Sequence, residues 1–266
     1  MTPNQLTSAS LLLGTAAAGV FALGGWHWLV LGAVLFHFSF VFDCMDGKIA
    51  RLKGTGTMFG LWLDYVVDRV RVALCSFGLA FGQYQMTGDV AYLLLGAGIT
   101  VLDLFRYING MRVFRVNEAI KNRTAEAMGK DRSAGPVFVT DILRESPEAD
   151  PRKIAAETSM IDLQRGFHAR FPWFNRFRIA LVRRRVRSHV ISGIEFHMAV
   201  FIVAPILGPS ALIPIAGTIG AILMTFEFVI VYRLWLAARE CERVIAKTRS
   251  RELLAVPEQR AAAGVR

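Results

Sequence analysis

The chain has few cysteines and few charged residues. Its three cysteines, Cys44, Cys75 and Cys241, form no CxxC pair. This usage predicts no disulfide framework, and we interpret the cysteines as small apolar residues. Charged residues make up only 20% of the 266 residues, which is low for a soluble domain.

Hydrophobic residues are abundant instead. They make up 54% of the chain, and the mean hydropathy is +0.42. Such values suit an integral membrane protein better than a soluble domain. The net charge of +10 is typical of a membrane protein whose cytoplasmic loops face anionic lipid headgroups. Because no recognised nucleic-acid motif accompanies that charge, we expect no nucleic-acid partner.

Six apolar segments predict six transmembrane helices. They lie at residues 6–23, 26–50, 58–81, 90–113, 190–207 and 211–236. The second segment alone would form a helix about 37 Å long, which exceeds a hydrocarbon core of about 30 Å. The first segment lacks a preceding basic region, so we expect a membrane helix rather than a cleaved signal peptide. The fold class is therefore predicted to be an all-α integral membrane protein.

A long polar stretch separates the fourth and fifth segments. Residues 114–187 are basic and contain four prolines, so we expect a large cytoplasmic insertion outside the bilayer. Its later part interleaves aromatics with arginines, which suits an amphipathic segment on an anionic membrane surface. A cap over the active site, a lipid-facing platform and a solvated loop are all open interpretations. Residues 1–250 then form one membrane domain, and residues 251–266 form a charged, disordered tail.

The positions of lysine and arginine predict the orientation. The turns expected on the outer side, near Gly24 and at residues 83–89 and 208–210, contain neither residue. Arg51, Lys53, the insertion and the C-terminal tail fall on the other side. Short loops rich in these residues stay in the cytoplasm. We therefore expect a protein of the cytoplasmic membrane with both termini in the cytoplasm and a polar active-site cavity that opens on the same side.

Four carboxylates interrupt the second and third apolar segments. They lie in DCMDGKIAR and, eight residues later, in GLWLDYVVD. In helices, Asp43 and Asp46 would share one face, and Asp64 and Asp68 another. Left uncompensated inside a membrane, four like charges would cost about 10 kcal/mol or more, so a cation is expected. Oxygen ligands without His or Cys favour Mg²⁺, Mn²⁺ or Ca²⁺ over Zn²⁺.

Small residues and an arginine accompany the first pair of carboxylates. Gly47 and Ala50 follow one turn later, where small side chains allow a ligand or a helix to approach the backbone. Arg51 offers a planar fork for phosphate oxygens. The stretch therefore combines the groups needed to bind a metal and a phosphate.

The spacing of these residues resembles the signature of the CDP-alcohol phosphotransferase family, DxxDGxxAR, eight residues, GxxxDxxxD. All eight fixed positions match, namely Asp43, Asp46, Gly47, Ala50, Arg51, Gly60, Asp64 and Asp68. Thr57 and the opening TPNQLT also resemble common features of the family. Beyond these positions, only the general pattern of hydrophobic segments agrees.

The resemblance implies an enzyme of phospholipid biosynthesis in which an alcohol displaces CMP from a CDP-linked alcohol. It implies that Asp43, Asp46 and Asp64 bind Mg²⁺ or Mn²⁺ in a two-metal site. Asp68 would be the general base and would also touch a metal. The implied CDP-site residues are Asn4, Gly47, Ala50, Arg51, Thr57 and Gly60. The resemblance also implies a homodimer.

The acceptor site is marked less clearly. Arg71 lies three residues beyond Asp68 on the same predicted helix face, and Arg106 lies in the fourth segment. Either could hold an acceptor phosphate or a lipid phosphate, whereas Arg69 is predicted to point elsewhere. For Asn4 and Thr7, capping of the first helix is an equally good interpretation.

Several functions remain open at this point. The leading one is transfer of a phosphatidyl-type group from CDP-diacylglycerol or a related CDP-lipid to a polar alcohol. The reverse arrangement has a CDP-linked small alcohol as the donor and a lipid alcohol as the acceptor. More remote alternatives are an intramembrane prenyltransferase, which also uses Asp-rich motifs, and a divalent-cation carrier.

Overall fold

The structure is a computed structural model that describes residues 3–54, 56–127, 138–139, 142, 162–171 and 193–263. These residues are nearly all helical, and no strand occurs among them. The helices of the first half are α1 (Pro3–Phe21), α2 (Trp26–Lys53), α3 (Met58–Thr87) and α4 (Ala91–Ala127).

In the described part of the second half, the first helix is the short α5 (Arg165–Arg170). Helix α6 (Gly193–Leu207) changes from α to π geometry at Ala199–Val203 and returns to α geometry at Ala204–Leu207. A turn at Gly208, where φ is +107°, separates it from α7 (Pro209–Ala263).

Among the described residues, three helices are long and apolar enough to cross a membrane. They are α2, α4 and the part of α7 up to Ser250, and α1 and α6 are shorter apolar helices. Helix α3 is less apolar because Asp64, Asp68, Arg69 and Arg71 lie in its first half. The all-helical membrane architecture predicted from composition therefore agrees with the structure, while the count of six spans stays a prediction.

Two helices continue beyond the apolar segments that predict them. Helix α4 runs to Ala127 instead of ending at residue 113, and α7 runs to Ala263 instead of ending at residue 236. Hydropathy predicts only the part of a helix that is suited to lipid. The helix itself can continue beyond that part when the following polar residues are good helix formers. The cytoplasmic location of residues 114–187 and the disorder of residues 251–266 stay predictions.

The chain divides into two compact units, Met1–Ile108 with Ile191–Phe226 and Asn109–Val190 with Glu227–Arg266. Large buried side chains in the core of the first unit include Phe21, Phe36, Leu79, Phe196 and Phe201. The second unit has a smaller core of Ile120, Phe138, Leu163, Ala237 and Cys241.

Glycines bring α3 close to α1 in the first unit. A methyl group at Gly78 would collide with the backbone carbonyl of Ala18, and one at Gly82 would collide with that of Phe21. Gln83 adds a buried hydrogen bond, since its Nε2 donates to the carbonyl oxygen of Gly24 at 2.7 Å. Small residues four apart are a usual means of close packing between membrane helices. This contact fixes α1 beside the charged half of α3.

We expect Gly78→Ala to destabilise the protein by about 1–3 kcal/mol, because the added methyl meets backbone that cannot move aside. Thermal unfolding of the detergent-solubilised protein measures this effect. Gly98→Ala on α4 is the matched control, since no heavy atom lies within 4 Å of its added methyl. A Gly78→Ala protein as stable as the control would contradict the packing described here.

Candidate active site

Three aspartates from two helices form a carboxylate cluster. Asp43 and Asp46 lie on α2 and Asp64 on α3, and each offers an oxygen within 4.8 Å of the others. Asp46 is buried, whereas Asp43 and Asp64 are partly buried. The donors are all carboxylate oxygens, so the cluster fits a hard divalent cation. The aspartate triad can therefore bind a metal.

Helix α1 contributes a hydroxyl to this cluster. The Oγ1 atom of Thr7 donates to Oδ2 of Asp46 at 2.6 Å, and both side chains are buried. Thr7 lies inside α1, which begins at Pro3, so its hydroxyl does not cap the helix. A hydrogen bond of this kind fixes the direction of a carboxylate that binds a metal.

Arg71 is buried among the carboxylates, with only 1% of its surface exposed. Its Nη1 lies 3.1 Å from Oδ1 of Asp43, and its Nη2 pairs with Oδ1 of Asp68. Nη1 also donates to Oγ of Ser10 at 2.7 Å. Gly14 leaves room for the aliphatic part of this side chain. Helix α1 thus provides both a hydrogen-bond partner and space for the Arg71 side chain.

Arg69 also joins the site, contrary to the prediction that it points elsewhere. One terminal nitrogen pairs with Oδ2 of Asp68 and the other with Oδ2 of Asp103 on α4. The prediction is wrong because helix periodicity gives only the direction of the Cα–Cβ bond. The long arginine side chain bends back from there, and its guanidinium lies 4.8 Å from the centre of the Tyr107 ring.

Asp68 is not one of the three clustered aspartates, and it pairs with both arginines. Its Oδ1 pairs with Arg71 and its Oδ2 with Arg69. The four carboxylates of the two predicted helix faces therefore differ, since three can share a metal while each oxygen of the fourth pairs with a guanidinium.

The site carries an excess of negative charge. Its five aspartates, Asp43, Asp46, Asp64, Asp68 and Asp103, lie near two arginines, Arg69 and Arg71. Among the residues that the structure describes, Asp46 and Asp64 form no salt bridge. Partly buried charges without counter-ions are costly, and a divalent cation between these two carboxylates and Asp43 would remove that cost.

The predicted CDP-site residues lie around the junction of α2 and α3. Arg51 is exposed and its Nε donates to the carbonyl oxygen of Gly47 at 3.0 Å. Thr57 caps α3, and its Oγ1 accepts from the backbone N–H of Gly60 at 3.0 Å. The side chains of Asn4 and Ala50 lie outside the part of the chain that the structure describes.

Arg106, predicted for the acceptor, lies elsewhere in the same unit. Its guanidinium rests where a side chain at Gly193 of α6 would be. Within the described residues it makes no hydrogen bond or ion pair. It is partly buried and has no polar partner in the described part of the chain, whereas the terminal nitrogens of Arg71 are already engaged.

Comparison with known proteins agrees with this arrangement. Residues 1–140, more than half of the chain, match the model of the CDP-alcohol phosphatidyltransferase family. The chain belongs to this family. Both halves of the signature and helices α1 to α4 lie within the matched residues.

Individual relatives match shorter stretches. Archaetidylinositol phosphate synthase of Pyrococcus horikoshii is 34% identical over 95 residues, which cover 36% of this chain and 48% of that protein. Phosphatidylinositol phosphate synthase of Corynebacterium glutamicum is 43% identical over 72 residues, 26% of this chain and 31% of that protein. A bifunctional IPC transferase and DIPP synthase of Aquifex aeolicus is 41% identical over 68 residues, 26% of this chain and 15% of that protein. The matched stretches therefore span less than half of each of these relatives.

Metal binding tests the cluster directly. We expect Asp64→Asn to weaken Mn²⁺ binding by more than the roughly 10- to 100-fold that loss of an outer-shell partner costs, because it removes a carboxylate oxygen from a set of three. Electron paramagnetic resonance measures this affinity when Mn²⁺ is titrated into the purified protein. Asp89→Asn, outside the cluster in the turn between α3 and α4, is the control. Equal affinity in the two variants would show that the metal lies elsewhere.

Proposed function

We propose that this protein transfers a phosphatidyl-type group from a CDP-linked lipid, CDP-diacylglycerol or a close relative, to the hydroxyl of a polar alcohol and releases CMP. The observation that supports this function best is the cluster of Asp43, Asp46 and Asp64 beside Asp68, in the register of the family signature. Two relatives are named as synthases of lipid-linked inositol phosphates. A phosphorylated alcohol of that kind is therefore our preferred acceptor.

The three clustered aspartates are proposed to hold Mg²⁺ or Mn²⁺, with Asp68 completing a two-metal site. A divalent ion there neutralises the pyrophosphate of the donor and stabilises the charge of the leaving CMP. Thr7 orients Asp46 for this purpose through its 2.6 Å hydrogen bond.

Asp68 is proposed to act as the general base. The acceptor hydroxyl oxygen bonds to the phosphorus that carries the lipid, the bond from that phosphorus to the CMP oxygen breaks, and the hydroxyl proton passes to Asp68. Both oxygens of Asp68 are paired with arginines in this structure. One of these contacts must therefore lengthen before the carboxylate can receive the proton.

The nucleotide is proposed to lie at the junction of α2 and α3. Asn4, Gly47, Ala50, Arg51, Thr57 and Gly60 are the residues assigned to it. The exposure of Arg51 and Thr57 leaves them accessible to a phosphate or a ribose. Close approach at Gly47 and Gly60 is possible because neither has a side chain.

Arg106 is our preferred residue for the acceptor phosphate. Arg71 was an equal candidate on sequence grounds, but its guanidinium is occupied by Asp43, Asp68 and Ser10. A partly buried arginine without a carboxylate partner in the described residues suits a phosphate that arrives with the substrate.

The membrane arrangement is part of the same proposal. Six membrane helices would place both termini, the insertion at residues 114–187 and the nucleotide site in the cytoplasm, as the distribution of lysine and arginine favours. We also propose a homodimer, in line with the family resemblance.

Metal-dependent CMP release tests the reaction. We expect purified protein with Mg²⁺ to release CMP from CDP-diacylglycerol when a pool of polar alcohols is present, and not from CDP-choline with lipid alcohols. Asp68→Asn should lower kcat by about 100-fold or more, since general bases contribute about 10²–10⁴-fold.

Other outcomes of this assay discriminate between the alternatives. CMP from CDP-choline alone would reverse the roles of donor and acceptor. No CMP from either donor, together with metal binding that is indifferent to added CDP, would overturn the transferase and favour a cation carrier.

Gly193→Ala tests the acceptor role of Arg106. The added methyl would occupy the place of the guanidinium, so we expect KM for the phosphorylated acceptor to rise about tenfold, the equivalent of about 1.4 kcal/mol. KM for the CDP donor should stay unchanged. Gly98→Ala, which meets open space, is the control. An unchanged acceptor KM in Gly193→Ala would remove Arg106 from the acceptor site.

A further inference from the structure

A chain of polar side chains, from the partly buried Arg69 to the buried Asp103 and His197, leads away from Asp68. Arg69 bridges Asp68 to Asp103, and Asp103 in turn accepts a hydrogen bond from Nε2 of His197 at 2.8 Å. The three bridging residues come from α3, α4 and α6. Asp103 and His197 are 2% and 5% exposed, and the cluster of Asp43, Asp46 and Asp64 does not include them.

Among the described residues, each oxygen of Asp103 has one partner. Oδ2 accepts from Nη1 of Arg69, and Oδ1 accepts from His197. A buried aspartate inside an apolar helix is costly unless it is paired. An apolar side chain at position 103 would serve helix packing equally well. We therefore look for a role of Asp103 in the active site.

That reason lies in the position of Asp68. The three carboxylates of the metal cluster repel a fourth nearby, and Arg71 alone holds only Oδ1 of Asp68. Arg69 holds Oδ2, but an arginine side chain has many rotamers and its contact is specific only when its other end is fixed. Asp103 fixes that end, and His197 fixes Asp103.

We propose that Asp103 and His197 are positioning residues for the transfer reaction: they hold the Arg69 guanidinium against Asp68 and thereby fix the carboxylate that receives the acceptor proton. The inference rests on the proposed function for the role of Asp68. The residues that carry it lie on three different helices, and His197 lies beyond the residues that match the family.

Kinetics of the full-length protein test this role. We expect Asp103→Asn and His197→Leu each to lower kcat by about 10- to 100-fold, the usual cost of losing an outer partner of an active-site group. KM for the CDP donor should change less than about twofold, because the nucleotide site is not touched. His197→Gln should recover most of kcat, since its amide N–H can still donate to Asp103.

A matched control is Glu227→Gln on α7. Glu227 is a buried carboxylate that accepts from Nδ2 of Asn109 at 2.6 Å, so it resembles Asp103 in burial and bonding but has no contact with Arg69. We expect its kcat to equal that of the unaltered protein. A fall as large as that of Asp103→Asn would show that loss of any buried carboxylate impairs the enzyme, and would overturn the proposal.

A double-mutant cycle tests whether Asp103 acts through Arg69. In an Arg69→Gln background, Asp103→Asn should cause little further loss of kcat, because the bridge is already broken. Independent losses that multiply would overturn the proposal. So would an Asp103→Asn protein with unchanged kcat, or one in which only KM for the donor rises.

The same cycle in thermal unfolding separates this inference from the proposed function. Coupling between Arg69→Gln and Asp103→Asn in the unfolding temperature reports the contact whether or not the protein turns over. Coupling without CMP release from the unaltered protein would overturn the proposed function and, with it, the catalytic purpose of the bridge. CMP release without coupling in either measurement would overturn the bridge alone.

Discussion

The balance between buried arginines and buried carboxylates governs the first structural unit. Arg71 is 1% exposed and pairs with Asp43 and Asp68. Arg69 pairs with Asp68 as well, and with Asp103. Burying each of these ions costs several kcal/mol, and only close pairing recovers it. The helices must therefore meet in one register, since a displacement of one turn would leave a charge without its partner.

Helix α1 has little polar character, yet that register depends on it. It provides the hydroxyls of Thr7 and Ser10 to Asp46 and Arg71, and Gly14 makes space for the arginine. One helical turn beyond Gly14, the same helix meets Gly78 of α3 at the carbonyl of Ala18. The close packing and the polar contacts thus lie along one interface, so the packing of α1 on α3 and the geometry of the carboxylates cannot vary independently.

The sequence predicts the aspartate cluster well because spacing alone places Asp43 with Asp46 and Asp64 on helix faces that can meet. It does not predict that Arg69 contacts Asp68 and Asp103, because helix periodicity gives the direction of the Cα–Cβ bond and not the position of the guanidinium. Thr7 was ambiguous for a related reason, since a hydroxyl near a helix start serves as a cap or as a tertiary partner equally well. Asp103 and His197 stand out in the sequence as polar residues in apolar segments, but only the structure pairs them.

The residues of the site lie in two separate parts of the chain. The aspartate motif and Arg69 lie within residues 1–140, which match the family. Gly193 and His197 lie on α6, beyond that match, and they contact Arg106 and Asp103 of α4. If the acceptor phosphate binds Arg106, its position depends on α6. One side of the α4–α6 contact therefore lies outside the residues that match the family, and we expect substitutions on α6 to affect the acceptor more than the CDP donor.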